Sequence, residues 1–206
     1  MRTLAIDCAT EACSVALFND GERIAGDFRL LGRGHAEQLV PMIAALPGRG
    51  RADRIAVALG PGSFTGVRVG LAAARALALA WNAELIGYPT LALIAAMARG
   101  ERSGQPLAVV TTGGHGEWFV QHFDASGTSA SAVASLKPAD AAAGIGEALL
   151  AGSQAQALAE LRGHGEALAL LPDANALALL PQAALTGDVR PLYGRPPDAR
   201  LPAGAR

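Results

Sequence analysis

With 206 residues, 51% of them apolar and 17% charged, the chain is not a disordered polymer and can bury a sizeable core in one large domain or two small ones. Its net charge of −1 argues against a dominant electrostatic grip on nucleic acid or lipid, and 4% aromatics leaves too few rings for a base-stacking platform. Cys8 and Cys13 follow no long apolar leader, so they read as small reduced core residues of a cytoplasmic chain.

Residues 4–6 form a short apolar strand that ends in Asp7. A turn at 8–11 leads to a second strand at 13–18, and Asn19-Asp20-Gly21 is a hairpin turn into a third strand at 23–30. Asp7, with Thr10 beside it, either holds a metal-bound phosphate or bonds the N–H groups of its own turn. After a glycine-containing link at 32–34, Ala36, Leu39, Val40, Ile43 and Leu46 recur at helical spacing. Pro41 inside that run predicts a kink or a late helix start. His35 at the entrance reads as a ligand contact, a cap or a surface group. Arg49, Arg51 and Arg54 lie in a polar loop whose plain reading is a solvated turn.

A short apolar run at 55–59 then enters Gly60-Pro61-Gly62-Ser63-Phe64-Thr65-Gly66-Val67-Arg68, and a run rich in Ala, Leu and Val leaves it at 65–81. That is a strand, a glycine loop and a helix. Ser63 and Thr65 are both suited to cap the helix start, and Arg68 adds a cation one turn in. Either the loop is an anion site built on backbone N–H groups around Gly62 and Ser63, or a docking surface built on rigid backbone, or it is a tight turn that needs glycines for positive φ. No Lys-Ser or Lys-Thr follows the glycines, which excludes a Walker loop. Pro61 and Thr65 flank Ser63 where a nucleophile elbow needs glycines. Along the helix, Gly66, Gly70, Ala74 and Ala78 form a small-residue stripe that lets another helix, internal or from another subunit, approach closely. Arg68, Arg75 and Asn82 interrupt the run, so no membrane span is expected. A strand at 84–88 follows, then a helix with Pro89 in its first turn that runs to about residue 97. The charged linker at 99–105 divides the chain into lobes 1–103 and 104–206.

The second lobe repeats the opening of the first. Residues 107–112 match the first strand, 117–123 the second, and Asp124-Ala125-Ser126-Gly127 the hairpin turn. Thr112, Gly113 and Gly114 stand where the first copy has its acid. His115 and His122 fall an odd spacing apart, on opposite faces of a strand, which does not suit one metal. Beyond Pro138, helices are expected at 139–147 and 154–161, strands at 148–151 and 167–171, a last helix at 173–185 interrupted or ended near Pro181, and an extended tail at 187–206.

Ala5-Ile6-Asp7-Cys8-Ala9-Thr10, His35 with Leu39-Val40-Pro41, and the glycine loop 60–68 resemble the bacterial TsaB (YeaZ) family. The resemblance covers about residues 1–100 well, and the second lobe through Gly116-Glu117 and Pro191-Leu192-Tyr193-Gly194-Arg195. It implies an α/β chain with an actin/Hsp70-like (ASKHA) duplicated fold. Each lobe would open with an antiparallel β-meander extended by parallel strands and flanked by helices. It also implies a non-catalytic subunit that binds TsaD, the enzyme that transfers threonylcarbamoyl to adenosine 37 of tRNAs reading ANN codons, with the ATPase TsaE joining the complex. TsaD-like proteins carry an H-x-x-x-H metal pair whose counterparts here are Thr90 and Ile94, neither able to replace an imidazole. Thr112 and Gly114 likewise replace an Asp and an Arg.

The reading is therefore a scaffold with no catalytic residue and no metal. Its partner face is expected at His35, Leu39, Ile43, Gly66, Arg68, Gly70 and Ala74. The same face would serve a homodimer when the chain is alone, and tRNA would be met only through the complex. Weak phosphate contacts are assigned to Asp7, Thr10, Gly62 and Ser63, with no tightly bound cofactor and ATP or ADP confined to a subunit interface. A glycoprotease-type metallopeptidase or a nucleotide-dependent kinase of the same fold is the alternative.

Overall fold

The computed structural model describes residues 1–195. The first sheet opens with β1 (Arg2–Asp7), β2 (Ala12–Asn19) and β3 (Glu22–Leu30). Asp20 and Gly21 both take positive φ in the first hairpin, as a tight turn after Asn19 requires. Helix α1 (His35–Ala45), β4 (Arg54–Ala58), α2 (Phe64–Trp81), β5 (Glu84–Tyr88) and α3 (Thr90–Glu101) follow. The late start expected from Pro41 does not occur: α1 begins at His35 and carries Pro41 inside it. A 3-10 turn, Pro47–Gly50, fills the arginine loop. Helix α3 runs to Glu101, past the end expected near 97, so the linker to the second sheet is shorter than the charge pattern suggests.

The second sheet contains β6 (Leu107–Gly114), β7 (Glu117–Phe123), β8 (Ala134–Leu136), β9 (Leu149–Ala151) and β10 (Glu166–Leu168), with α4 (Pro138–Gly144) and α5 (Ala155–Arg162). The sheets have the same plan. In the first, β3-β2-β1-β4-β5 lie side by side; in the second, β8-β7-β6-β9-β10 do. The first three strands of each lobe pair antiparallel, and the last two join in parallel. This is the duplicated actin/Hsp70-like arrangement.

Strand alternation decides what each sheet face covers. Leu4 and Ile6 point into a core shared with Leu39, Met42 and Ile43 of α1 and Val67, Leu71 and Ala74 of α2. Ala5, Ala16 and Phe18 point the other way, onto Ala174. In the second lobe, Leu107, Val109, Phe119 and Phe123 pack on Leu91, Ile94, Ala95 and Ala98 of α3, while Ala108, Val110, Val120 and Leu150 pack on α4 and α5. Helix α3 thus follows the first sheet in sequence but lines the core of the second.

The last helix expected at 173–185 is not formed. Two 3-10 turns, Ala174–Leu179 and Gln182–Ala184, stand there instead. Asp173 caps the first by accepting the Asn175 N–H, and Ser14 Oγ accepts the Ala174 N–H at 2.8 Å, so the segment is bonded to β2. Burial against the first sheet outweighs the helix propensity of the Ala-Leu run, and Pro181, with no N–H to donate, weakens that propensity further. Thr186 then bridges Gly87 of β5. Residues 187–195 of the expected tail form neither helix nor strand and are docked, with Leu192 N–H bonding Leu59 O at 2.8 Å; residues 196–206 lie outside the described residues.

Candidate functional site

A cleft of about 820 Å³ opens between the lobes. Its walls are the β1–β2 turn (Ala9, Thr10, Glu11), the glycine loop (Gly62, Ser63, Phe64, Arg68), the β6–β7 turn (Thr112 to His115) and the docked tail (Leu192 to Arg195). Thr10, Gly62 and Ser63, expected at a phosphate, line it together with Arg68, which was expected on the partner face, but Asp7 is not among the lining residues.

Asp7 is buried beneath its turn, 1% exposed, with Oδ1 accepting the Ala9 N–H at 2.9 Å and Oδ2 lying 3.3 Å from the Tyr88 hydroxyl. Burial pushes its carboxyl up to about 7, against the pull of the Ala9 N–H and Tyr88. The phosphate contact expected of it is corrected: the carboxylate serves its own turn. Thr10 does likewise, accepting the Ala12 N–H at 3.3 Å.

No single expectation explains the glycine loop. Gly60 has φ of +93, as a turn demands, and the Gly60–Pro61 peptide is cis. Gly62 and Gly66 instead make room for neighbouring backbone. A Cβ on Gly62 would lie 2.0 Å from the Ala9 oxygen, and one on Gly66 would lie 2.0 Å from the Cys8 oxygen. Three of the loop's N–H donors are engaged: Ser63 N–H bonds Ala9 O at 2.6 Å, Gly66 N–H bonds Ser63 Oγ at 3.2 Å, and Val67 N–H bonds Ser63 O at 2.9 Å. Ser63 is the cap, and Thr65 lies within the helix. The loop locks α2 onto the β1–β2 turn, where free Cys8 and Cys13 face each other with sulfurs 3.5 Å apart.

The residues expected at a partner face turn inward. His35 is buried with Nε2 3.2 Å from the Ala12 oxygen, and Leu39, Ile43, Gly66, Gly70 and Ala74 are buried against the first sheet. A Cβ on Gly70 would meet Cys8 and Val57 at ordinary contact distance, so the small-residue stripe fits the chain's own sheet and not another helix. Of that set only Arg68 is exposed; its guanidinium lies 3.5 Å over the Phe64 ring and donates to the Tyr193 hydroxyl at 3.2 Å. The outward face is made by other residues: Ala36, Val40, Pro41 and Ala44 on α1, and Ala72, Ala76, Leu79 and Ala80 on α2. Val40 is 57% exposed and Leu79 87%. By length and composition alone α2 is also apolar enough to cross a bilayer, but its inner side packs on the first sheet and Arg75 bonds Val189 O at 2.7 Å.

Across the cleft, Thr112 N–H bonds Ser153 Oγ at 3.2 Å and Thr112 Oγ1 accepts from Gln154 at 2.9 Å. Glu11 is the one carboxylate lining the cleft among the described residues. Thr90 and Ile94 are both fully buried in the core. His115 sits in the β6–β7 turn with φ of +54, while His122 pairs with Glu147 at 2.6 Å, so the two do not meet. Among the described residues no group of His, Cys, Asp and Glu gathers as metal ligands would.

Residues 29–180 match the family model described as TsaD, tRNA N6-adenosine threonylcarbamoyltransferase. The tRNA threonylcarbamoyladenosine biosynthesis protein TsaB of Escherichia coli (strain K12) is 47% identical over 100 residues, 46% of this chain and 43% of that protein. The solved structure of YeaZ from Pseudomonas aeruginosa superposes with a TM-score of 0.78 at 29% identity, covering 93% of this chain and 99% of that one. The chain belongs to the TsaB (YeaZ) family. It spans under half the length of the curated TsaB relatives it matches, 43% and 41%. The tRNA N6-adenosine threonylcarbamoyltransferase of Anaeromyxobacter sp. (strain Fw109-5) is also similar, at 32% over 146 residues, 59% of this chain and 44% of that protein. TsaB chains and these transferases therefore share a frame.

Sequence reasoning missed the docked tail as a cleft wall, and it missed which side of each helix faces out. The outward stripe was legible as Ala36-Val40-Ala44 and Ala72-Ala76-Ala80, both at four-residue spacing; the glycines drew attention to the opposite side.

Proposed function

We propose that this chain is a non-catalytic binding subunit in tRNA threonylcarbamoyladenosine synthesis, and that it docks a TsaD-like catalytic subunit through the outward face of α1 and α2. The observation that carries the reading is that face itself. Two adjacent helices leave Val40 and Leu79 largely in solvent among exposed alanines, with Glu37, Arg68 and Arg75 exposed beside them. An exposed apolar surface of this kind marks an interaction site. Two helices facing two equivalent helices pack as a four-helix bundle with an apolar centre. The same face serves a homodimer when the catalytic subunit is absent. A TsaE-like ATPase joins at the rim near the glycine loop, ATP or ADP is confined to a subunit boundary, and tRNA is reached through the complex.

The chemistry of the cleft supports a subunit without catalytic work. A kinase needs carboxylates to hold metal and to act as base, and Asp7 is spent on its own turn. A metallopeptidase needs ligands where Thr90 and Ile94 are buried.

Leu79→Glu in the full chain tests the face. Co-expressed with the TsaD-like protein of the same cell, it is expected to abolish co-elution on size exclusion while the melting temperature stays within a degree or two. Co-elution that survives both Leu79→Glu and Val40→Glu removes the face from the reading. Turnover of substrate by the purified chain alone removes the non-catalytic assignment.

A further inference from the structure

Each helix of the outward face carries an exposed charge near its start, and the two are of opposite sign. Glu37 stands in the first turn of α1 and Arg68 near the start of α2. Among the described residues neither forms an ion pair, with the other or with any third group. Arg68 is nonetheless held in place: its guanidinium lies on the Phe64 ring and gives one N–H to the Tyr193 hydroxyl. A cation fixed in this way loses little freedom on meeting an anion.

The first sheet sets both charges at one height. Asp7 of β1 stands opposite Ser14 of β2, so Cys8 and Cys13 form the next rung, with sulfurs 3.5 Å apart. His35 Nε2 lies 3.2 Å from the Ala12 carbonyl, and an added Cβ on Gly66 would lie 2.0 Å from the Cys8 carbonyl. Both carbonyls belong to the peptide bonds just beyond that rung. From there the two helices run the same way, toward the Arg2 end of β1. Pro47 O, after α1, accepts from Arg2 at 2.9 Å. Glu84 N–H, after α2, bonds Asp53 O at 2.9 Å, and Asp53 N–H bonds Arg2 O at 3.0 Å. Glu37 comes two residues after His35, and Arg68 two after Gly66, each about 3 Å along its helix. Further down stand Val40, Pro41 and Ala44 on α1, and Ala72, Ala76 and Leu79 on α2, all exposed. Arg75, beside them, is tied to the Val189 carbonyl at 2.7 Å.

Two symmetric ways of joining such faces differ in what the charges meet. An axis along the helices lays α1 of each copy beside α2 of the other with like ends together, and each Glu37 then meets an Arg68. An axis across the helices sets both charges against the far ends, around Ala44, Ala45 and Leu79, where they would lose water and gain no counter-charge. On the reading that this face holds a homodimer, we propose that the second copy docks in the first way. Glu37 of each copy pairs with Arg68 of the other, and Val40 and Leu79 fill the apolar centre.

Charge exchange between full-length chains tests this register. Glu37→Arg alone and Arg68→Glu alone each set like charges face to face twice, and each is expected to weaken self-association about tenfold or more in sedimentation experiments. An equimolar mixture of these two variants is expected to form dimers holding one chain of each kind, counted by native mass spectrometry. The double variant is expected to dimerise like the parent. Arg68→Glu also gives up the contacts to Phe64 and Tyr193, but mixing cannot repair that loss, so recovery in the mixture reports the pairing itself. Single variants that dimerise like the parent, or a mixture that stays monomeric, would overturn the register while monomers from Val40→Glu and Leu79→Glu leave the face standing. A parent that is monomeric, or a dimer that survives Val40→Glu and Leu79→Glu, would overturn the homodimer reading and the register with it.

Discussion

Asp7→Asn isolates the cost of a buried carboxylate. In the folded chain the group titrates at about 7, raised from 3.8 chiefly by burial. The folded state therefore holds its proton between these values while the unfolded state has lost it. Stability falls as pH rises from about 4, and the full cost is reached above about 7. The difference corresponds to about 4 kcal/mol. Asparagine keeps the shape. Its oxygen accepts the Ala9 N–H, and its amide donates to the Tyr88 oxygen, whose own proton goes to the Ile6 carbonyl at 3.0 Å. Urea unfolding at pH 5 and pH 8 should show the variant gaining up to about 4 kcal/mol over the parent at pH 8 and no more than about 2 at pH 5. An equal effect at both pH values, or a loss at pH 8, refutes the burial argument.

Gly62→Ala drives a methyl into the Ala9 backbone, so it should cost about 3 kcal/mol and lower the melting temperature by about 6–12 °C in a differential scanning experiment. Gly144→Ala, at the end of α4 with nothing within 4 Å of the added carbon, should by contrast gain up to about 1 kcal/mol in the same experiment. Tyr193→Ala removes the ring beside Phe64 and the acceptor of Arg68; amide exchange at Leu192, bonded to Leu59 O at 2.8 Å, should speed up about tenfold. For the subunit face, dilution of the chain alone should show Val40→Glu and Leu79→Glu as monomers at concentrations where the parent is a dimer, read by light scattering.

The first sheet was legible in the sequence because its signals agree: short apolar alternation, an Asn-Asp-Gly turn and a glycine loop before a long helix all favour one topology. The cleft was legible as far as Thr10, Gly62, Ser63 and Arg68. Asp7 was misread because a carboxylate at a strand end looks the same whether its oxygens face a ligand or its own turn; Tyr88, which closes over it, is 81 residues away. The Gly66-Gly70-Ala74 stripe was found but turned the wrong way. Periodicity names a face and leaves its neighbour open, and here the neighbour is Cys8 and Val57. Strand β8 is only three residues long, too short for alternation to register. The 173–185 segment has the composition of a helix, and its burial against β1, β2 and β3, together with Pro181, dictates otherwise.

That return of the chain bears on biogenesis. Ala174 covers Ala5, Ala16 and Phe18, and Leu180 enters the same interior as Leu4 and Ile6. A nascent polypeptide stalled near residue 170 would leave one face of the β1–β3 hairpins bare. The front half of the molecule cannot be completed in order of synthesis; it waits for a plug that leaves the ribosome long after the strands it seals.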